Sequence, residues 1–165
     1  MERNEQYDLI VVGGGLSGLI AAATAAVEGK KVLLAESYSF LGGSWTGSNR
    51  LWLPLEHYEL LARTLEWSEE VILNRDQEEV ALVPAQVKIA LENYVMSKGV
   101  ALLYGVKPYA WSLCEGTYEV SFAGKFGSIR LRADRLIDAT EHGALLRCTS
   151  SYRDRLLDDH IIAWR

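Results

Sequence analysis

Three glycines and one acidic residue near the N-terminus have a spacing that is typical of a ligand-binding site. Gly13, Gly15 and Gly18 fit the pattern Gly-x-Gly-x-x-Gly, in which a tight turn lets backbone N–H groups approach a phosphate closely. Glu36 follows eighteen positions after Gly18, where a carboxylate is well placed to accept hydrogen bonds from ribose hydroxyls. Together these residues predict a dinucleotide site, with the diphosphate at the glycines and the sugar at the acid.

Other glycine turns share part of this pattern. Residues 13–18 also fit the first part of a P-loop, but Leu19 and Ile20 stand where Lys and Ser or Thr are needed to reach phosphate and magnesium. Ser17 at such a turn suggests a hydrolase nucleophile elbow, yet Gly18 follows it directly and Glu36 is left without a function. A structural turn that binds no phosphate stays open as an alternative.

The segments around the glycines are those of a βαβ unit. Residues 7–12 have the apolar, β-branched composition of a strand buried on both faces. An alanine-rich helix is expected from Leu16 to about Glu28, with Gly29 ending it, and residues 31–35 form a second short apolar run. Two strands joined by one helix predict an α/β fold with a parallel sheet.

The rest of the chain is less regular. Residues 41–83 predict a polar loop followed by a helix near 56–67, and Pro84 begins an amphipathic helix that ends at Gly99. Residues 100–104 are expected to form a third parallel strand.

Three strand-like runs between residues 109 and 132 predict a small antiparallel meander. They are separated by Glu115–Gly116 and by residues 123–125. Residues 135–139, with the sequence RLIDA, are expected to form a further short buried strand.

Composition excludes several classes of partner. The chain has 165 residues, of which 49% are hydrophobic, and a net charge of −5. This charge provides no basic field for nucleic acid or an anionic membrane, so neither is an expected partner. The charged N-terminus and the lack of a long apolar run predict neither a secretory signal nor a membrane span, and hence a cytoplasmic protein. Cys114 and Cys148 lack disulfide or zinc spacing and are expected to be reduced structural thiols.

Few other side chains suggest catalysis. His57, His142 and His160 are scattered, so no metal site is predicted, and His142 is the one closest to the expected cofactor site. Trp45 and Trp52, on either side of Arg50, could line a pocket for an anionic substrate, but packing is the favoured interpretation. Four glutamates are expected on a solvated face: Glu69, Glu70, Glu78 and Glu79.

Several motifs, in one order, resemble those of a known class of flavoproteins. They are VVGGGLSGLIAA, the acidic strand end at Glu36, the glycine pair in FLGGSW and the late strand RLIDAT. The chain resembles the two-dinucleotide-binding-domain flavoproteins, the FAD-dependent oxidoreductases of the glutathione-reductase type. More narrowly, PAQVKIALENYVMSKGVALLYG followed by a meander is similar to the FAD-dependent oxidoreductases related to fumarate reductase flavoproteins. The resemblance implies a Rossmann-like FAD/NAD(P)-binding fold with a β-meander crossover, and FAD as cofactor.

The resemblance also implies which residues bind the cofactor. Glu36 would hold the adenosine ribose, and the backbone around residues 106–108 would meet the adenine. The diphosphate would lie on the glycine loop: Gly13, Gly14, Gly15, Leu16, Ser17 and Gly18. A second loop would pass the flavin side, and a third would approach the diphosphate: Gly42, Gly43 and Ser44, then Ala139 and Thr140.

The chain departs from the family pattern in two places. The family has A-T-G late in the domain, whereas here Glu141 follows Ala139 and Thr140, adding a side chain and a negative charge near the expected diphosphate. Disulfide-reductase members carry a cysteine pair after the glycine doublet, whereas this chain has SWTGSNRLWLP, so thiol chemistry with the flavin is not expected.

The expected organisation is an FAD-binding domain over residues 1–150, incomplete and with an insertion at about 45–83, followed by residues 151–165 as a tail or the start of a missing segment. The leading hypothesis is the FAD-binding portion of an oxidoreductase whose organic substrate is unknown, with a separate chain or a missing C-terminal part supplying the substrate domain. The alternatives are a truncated non-catalytic dinucleotide-binding module and an NAD(P)-binding reductase.

Overall fold

A six-stranded sheet forms the centre of the molecule. The computed structural model describes residues 2–49 and 51–149. The strands are β1 Glu2–Val12, β2 Val32–Glu36, β3 Trp52–Pro54, β4 Ile72–Arg75, β5 Glu79–Leu82, β6 Ala101–Tyr104, β7 Val106–Cys114, β8 Thr117–Gly124 and β9 Gly127–Asp138. The helices are α1 Leu16–Val27, α2 Gly43–Gly47, α3 Leu55–Thr64, α4 Pro84–Ser97 and α5 Ala144–Arg147, with a 3₁₀ turn at Glu69–Val71.

The central sheet combines parallel and antiparallel pairing in the order β6-β2-β1-β9-β8-β7. Strands β6, β2, β1 and β9 are parallel neighbours, whereas β7, β8 and β9 form an antiparallel meander. Strand β9 belongs to both parts, because its residues 127–133 pair with β8 and its residues 130–138 pair with β1. The predicted fold class, a Rossmann-type parallel sheet with a β-meander, is therefore confirmed.

Each face of the sheet has its own apolar core. On one face, Leu9 and Val11 of β1 pack with helices α1 and α4, which contribute residues such as Leu19 and Leu91. On the other face, Ile10 and Val12 pack with residues of the meander and α5. Since successive side chains of a strand point to opposite faces, this double burial requires the continuous apolar run found in β1.

Glycines allow β1, α1 and β9 to meet almost backbone to backbone. A Cβ on Gly18 would overlap the carbonyl oxygen of Gly13, and one on Gly13 would lie 2.6 Å from the carbonyl carbon of Ala139. The N–H of Ala139 also donates to the carbonyl of Val12 at 2.8 Å. The first turn of α1 is therefore held directly against the carboxyl ends of both strands.

Two predictions of secondary structure after the βαβ unit were incomplete or wrong. The loop-and-helix prediction for residues 41–83 missed a separate antiparallel sheet in the order β3-β5-β4, whose strands are only three or four residues long. The run RLIDA is not a separate buried strand, because it is the second half of β9. Its Ile137 is 38% exposed and belongs to neither apolar core.

Some predictions fall outside the part of the chain that the structure describes. These concern Arg50, His160 and the segment 151–165. Among the described residues, no helix has the length and apolar character needed to cross a bilayer. The division into a domain over 1–150 and a following segment stays a prediction.

We predict that Gly18→Ala destabilises the fold by about 1–3 kcal/mol, because its new methyl group must push two backbones apart. Chemical denaturation monitored by circular dichroism measures this change. Gly15→Ala is the matched control, because a Cβ at Gly15 meets nothing within 4 Å and its φ of −65° suits alanine. Its free energy of unfolding should change by no more than about 0.5 kcal/mol. Equal destabilisation by both substitutions would contradict the close packing at Gly18.

Candidate functional site

A cleft of about 380 Å³ opens at the carboxyl end of the parallel strands. Its walls come from the segments that follow β1, β2 and β9 and from the start of β7, which comes directly after β6. This edge of an open α/β sheet is where ligands of such folds bind. The lining residues are Val12, Gly13, Gly15, Ala35, Glu36, Ser37, Tyr38, Gly43, Val106, Lys107, Pro108, Ala139, Thr140, Glu141, His142, Ala144 and Arg147.

The glycine loop presents open space and unpaired donors to this cleft. Helix α1 begins at Leu16, with Gly15 as its N-cap and no side-chain hydrogen bond at the cap. The first N–H groups of a helix have no partner within the helix and carry the positive end of its dipole. No acidic side chain occupies the first turn, so these groups are available to an anion next to Gly15.

The carboxylate of Glu36 turns toward the glycine loop. It is 5% exposed, and its Oε2 accepts a hydrogen bond from the N–H of Gly14 at 2.5 Å. Its Oε1 accepts from the hydroxyl of Ser37 at 2.9 Å and from the N–H of Tyr38 at 2.8 Å. A carboxylate has about four acceptor positions, so three contacts leave room for a ligand hydroxyl. Glu36 therefore both lines the cleft and stabilises the loops around it.

The second glycine pair begins the short helix α2 beside the glycine loop. Gly42 has a φ of 96°, and its N–H donates to the carbonyl of Gly14 at 2.8 Å. A Cβ on Gly42 would collide with Thr46, and one on Gly14 would lie 2.6 Å from the side chain of Leu41. These contacts place Gly43 at the cleft wall directly opposite Gly15.

Asp138 organises the loop that follows β9. Its Oδ1 accepts from the N–H of Thr140 at 3.1 Å and from the Thr140 hydroxyl at 2.6 Å. Its Oδ2 accepts from the N–H groups of Leu145 and Leu146 at 2.9 and 3.3 Å. The Thr140 hydroxyl in turn accepts from the N–H of Ala144 at 2.7 Å. The Thr140 side chain is thus occupied within its own loop, and its backbone forms the cleft wall.

Glu141 reaches across the cleft to α2. Its Oε1 accepts hydrogen bonds from the hydroxyl of Ser44 and, at 3.3 Å, from the Ser44 N–H. These two bonds, followed by the nearby His142, lower the pKa of the Glu141 carboxyl below its ordinary value. The side chain is therefore ionised at neutral pH. We name this contact the Glu141–Ser44 clasp.

The structure places most of the predicted binding residues together. Six of them line the cleft: Gly13, Gly15, Glu36, Gly43, Ala139 and Thr140. Others adjoin it without forming its wall: Gly14, Leu16, Ser17, Gly18, Gly42 and Ser44. His142 and residues 106–108 also line the cleft. The adenine contact at residues 106–108 stays a prediction, which Pro108 restricts because it has no N–H.

Four polar or aromatic side chains of the lining were not predicted from the sequence: Ser37, Tyr38, Lys107 and Arg147. Of these, Lys107 lies in the segment 106–108 that was predicted through its backbone only. Ser37 and Tyr38 directly follow Glu36, so their position after the second strand was the available signal. Lys107 and Arg147 contribute positive charge to the cleft wall. They carried no sequence signal, because a single basic residue is common on any surface.

Other candidate side chains lie elsewhere. Trp45 packs against the apolar core and stacks on Trp67 at a ring distance of 6.4 Å, and Trp52 is exposed. His57 is exposed on α3 and does not line the cleft. The favoured interpretation as a packing residue fits Trp45, whereas for Trp52, which is 55% exposed and belongs to neither core, it was wrong. Within residues 2–49 and 51–149, no cluster of three or more His, Cys, Asp or Glu could hold a metal ion.

Comparison with known proteins gives a consistent picture. The family model described as FAD dependent oxidoreductase matches residues 8–150. Thiamine thiazole synthase from Methanococcus aeolicus is 30% identical over 159 residues, which cover 88% of this chain and 59% of that protein.

Two solved structures share the fold. THI4 from Thermovibrio ammonificans has a TM-score of 0.65 at 19% identity and covers 87% of this chain and 61% of its own. Anhydrotetracycline hydroxylase OxyS from Streptomyces rimosus has a TM-score of 0.62 at 20% identity, over 87% of this chain and 33% of its own. The chain therefore spans less than two thirds of the length of these relatives.

We predict that Asp138→Ala loosens the loop after β9, because it removes acceptors for two backbone N–H groups of α5 and for Thr140. Hydrogen–deuterium exchange should show faster exchange at Leu145 and Leu146, with a loss of about 1 kcal/mol of unfolding free energy. Asp134→Ala is the control, because Asp134 accepts one exposed hydrogen bond from Gln6. It should leave exchange at Leu145 unchanged. Unaltered exchange in the Asp138 variant would contradict the organising function of its carboxylate.

Proposed function

This chain belongs to the FAD dependent oxidoreductase family, and from that membership we propose that it binds FAD in the cleft at the carboxyl end of its parallel sheet. In this proposal the chain is the FAD-binding portion of an oxidoreductase that moves a hydride or an electron pair between FAD and an organic substrate. FAD supplies the redox chemistry when it is bound, and the residues of this chain bind and orient it.

The observation that carries the proposal is the open space at Gly15. Glycines 13, 14 and 18 are packed so tightly that a Cβ would collide with neighbouring atoms, whereas a Cβ on Gly15 would enter empty space. Gly15 is thus not required for packing, and its extended backbone tolerates other residues. A ligand that approaches the backbone closely accounts for a glycine there. The unpaired N–H groups of α1 at the same point fit an anionic diphosphate.

The remaining lining residues fit the adenosine half of FAD. We place a ribose hydroxyl on Glu36, which lines the cleft and has about one acceptor position left. We place the adenine between the backbone at 106–108 and the exposed ring of Tyr38, which stacks on Phe40 at a ring distance of 5.1 Å. Lys107 and Arg147 lie on the cleft wall, where their charges would partly balance the diphosphate.

The flavin end of the cofactor would extend beyond Gly43 and Ser44. Because the chain spans 59% of the archaeal relative and a third of the hydroxylase, we propose that another polypeptide segment or chain supplies the substrate domain and covers the flavin ring. We keep the proposed domain boundary near residue 150. We also propose a cytoplasmic location.

A spectrum of the released chromophore tests this proposal directly. We expect the purified full chain, when denatured, to release a flavin, or the apoprotein to take up FAD in a titration followed by flavin fluorescence. Calorimetry with NADH provides the comparison for the NAD(P)-reductase alternative. Tighter binding of NADH than of FAD would overturn the assignment, and tight FAD binding without redox turnover, with candidate partners present, would favour the non-catalytic module.

We predict that Gly15→Val abolishes measurable FAD binding while leaving the fold stable. Its branched side chain would fill the space next to the first turn of α1, where no protein atom lies within 4 Å of the Cβ position. Fluorescence titration and thermal unfolding measure the two effects separately. Gly47→Ala is the control, because Gly47 does not line the cleft and its Cβ would make an ordinary 3.5 Å contact with Phe40. Undiminished FAD affinity in the Gly15 variant would place the ligand elsewhere.

We predict that Glu36→Ala weakens adenosine and FAD binding by roughly 1–3 kcal/mol, through lost charge-assisted hydrogen bonds to the ribose. The fold should also lose stability, because Glu36 accepts bonds from Gly14, Ser37 and Tyr38. Calorimetry below the unfolding transition of the variant separates these effects. Glu28→Gln, at the exposed end of α1, is the control for charge. An unchanged dissociation constant would remove Glu36 from the site.

A further inference from the structure

The Glu141–Ser44 clasp joins two loops that otherwise bound an open cleft. Residues 44 and 141 are 97 positions apart, and both donors of Ser44, its hydroxyl and its N–H, converge on the same oxygen, Oε1 of Glu141. Two hydrogen bonds to one ionised oxygen are the pattern with which a protein binds an anion. The carboxylate therefore has the position and partners that an anionic ligand group would have.

The clasp lies next to the empty space at Gly15. The point that a Cβ on Gly43 would occupy is 3.4 Å from Oε1 of Glu141 and 3.8 Å from the Cα of Gly15. The acidic oxygen and the glycine that leaves room for a ligand are thus both within 4 Å of one point. An anion bound at Gly15 would be close to this negative charge, and the two charges would repel each other, although solvent screens the exposed Glu141 carboxylate.

We propose that Glu141 is an internal competitor for the diphosphate: its carboxylate occupies the donors of Ser44 and must move away before a dinucleotide binds with its diphosphate at Gly15. This inference rests on the proposed function, because it assigns the diphosphate to the same cleft. It makes Glu141 a residue that determines specificity, since the clasp opposes ligands with a diphosphate and leaves the adenosine pocket accessible.

The proposed function assigns the lining residues to two ends of the cleft. Glu36, Tyr38 and residues 106–108 are assigned to the adenosine end, whereas Glu141, Gly43 and Ser44 are assigned to the end where the flavin half would leave. The charged groups that line the cleft with Glu141 are Glu36, Lys107, His142 and Arg147. A neutral nucleoside needs only the first end, so its binding does not require the clasp to open. A dinucleotide needs both ends.

A comparison of adenosine, ADP and FAD binding by the full chain tests the proposal. Isothermal calorimetry at pH 7 would be carried out on the wild type, Glu141→Ala, Ser44→Ala and the double variant, with Glu70→Ala as the control. Glu70 is an exposed acid in the 3₁₀ turn outside the cleft, and Glu70→Ala changes the net charge by the same amount as Glu141→Ala. Thermal unfolding checks that each variant is folded, as expected for substitutions of exposed side chains.

We expect Glu141→Ala to tighten ADP and FAD binding about tenfold, because the carboxylate no longer competes with the diphosphate for the donors of Ser44. Adenosine affinity should change less than about twofold. In the Ser44→Ala background, the gain in ADP and FAD affinity from Glu141→Ala should fall to about threefold or less, because the hydroxyl donor of the clasp is already removed. Glu70→Ala should have no effect on any of the three ligands.

Two results would overturn the proposal that Glu141 competes with the diphosphate, without overturning the proposed function. Unchanged or weaker ADP binding by Glu141→Ala shows that its carboxylate does not compete, and an equal gain with and without Ser44 shows that it acts by repulsion at a distance. By contrast, failure of every protein to bind adenosine, ADP and FAD would overturn the proposed function itself. The two failures are therefore distinguishable.

Discussion

The site depends on the close approach of three backbones at Gly13, Gly18 and Ala139. Because no side chain separates them, the first turn of α1 lies directly against the ends of β1 and β9. The first N–H groups of α1, which have no partner within the helix, therefore lie at the ends of these strands, where we propose that the backbone binds a phosphate oxygen. A larger residue at Gly13 or Gly18 would move the helix and close the site.

The walls of the cleft are stabilised by acidic side chains that bind backbone N–H groups. Glu36 connects the glycine loop to the segment after β2, and Asp138 holds the loop after β9 to α5. Each carboxylate satisfies donors that would otherwise be unpaired at the end of a strand. Glu141 does the same for Ser44, but it does so across the mouth of the cleft. The first two acids therefore stabilise the cleft walls, whereas we propose that the third opposes diphosphate binding.

Sequence patterns predicted the parts of the molecule that depend on local constraints. The βαβ unit was predictable because tight backbone contacts require glycine at fixed spacing and because a doubly buried strand must be continuously apolar. The small sheet of β3, β5 and β4 was missed, since strands of three or four residues are too short to show alternation. RLIDA was expected to be buried because it is mostly apolar, yet burial depends on what packs against it.

The sequence predicted the glycines and Glu36 of the candidate site, but it did not predict the Glu141–Ser44 clasp. The clasp joins residues 97 positions apart, and nothing in either segment indicates the other. The sequence showed that Glu141 replaces a glycine of the family pattern, whereas the direction of its side chain required the structure. Lys107 and Arg147 likewise reach the cleft only through the pairing of the meander with β1 and the position of α5.

The most direct test of this account is an NMR titration of the isotope-labelled chain with ADP, following every backbone amide. The account predicts that the largest chemical-shift changes occur at Gly15, Leu16 and Ser17, with smaller ones near Tyr38 and residues 106–108. A second depression, lined by residues that include Asp8, Lys30 and Arg135, lies away from these amides. Shifts confined to that depression, or none at the first turn of α1, would contradict the central claim.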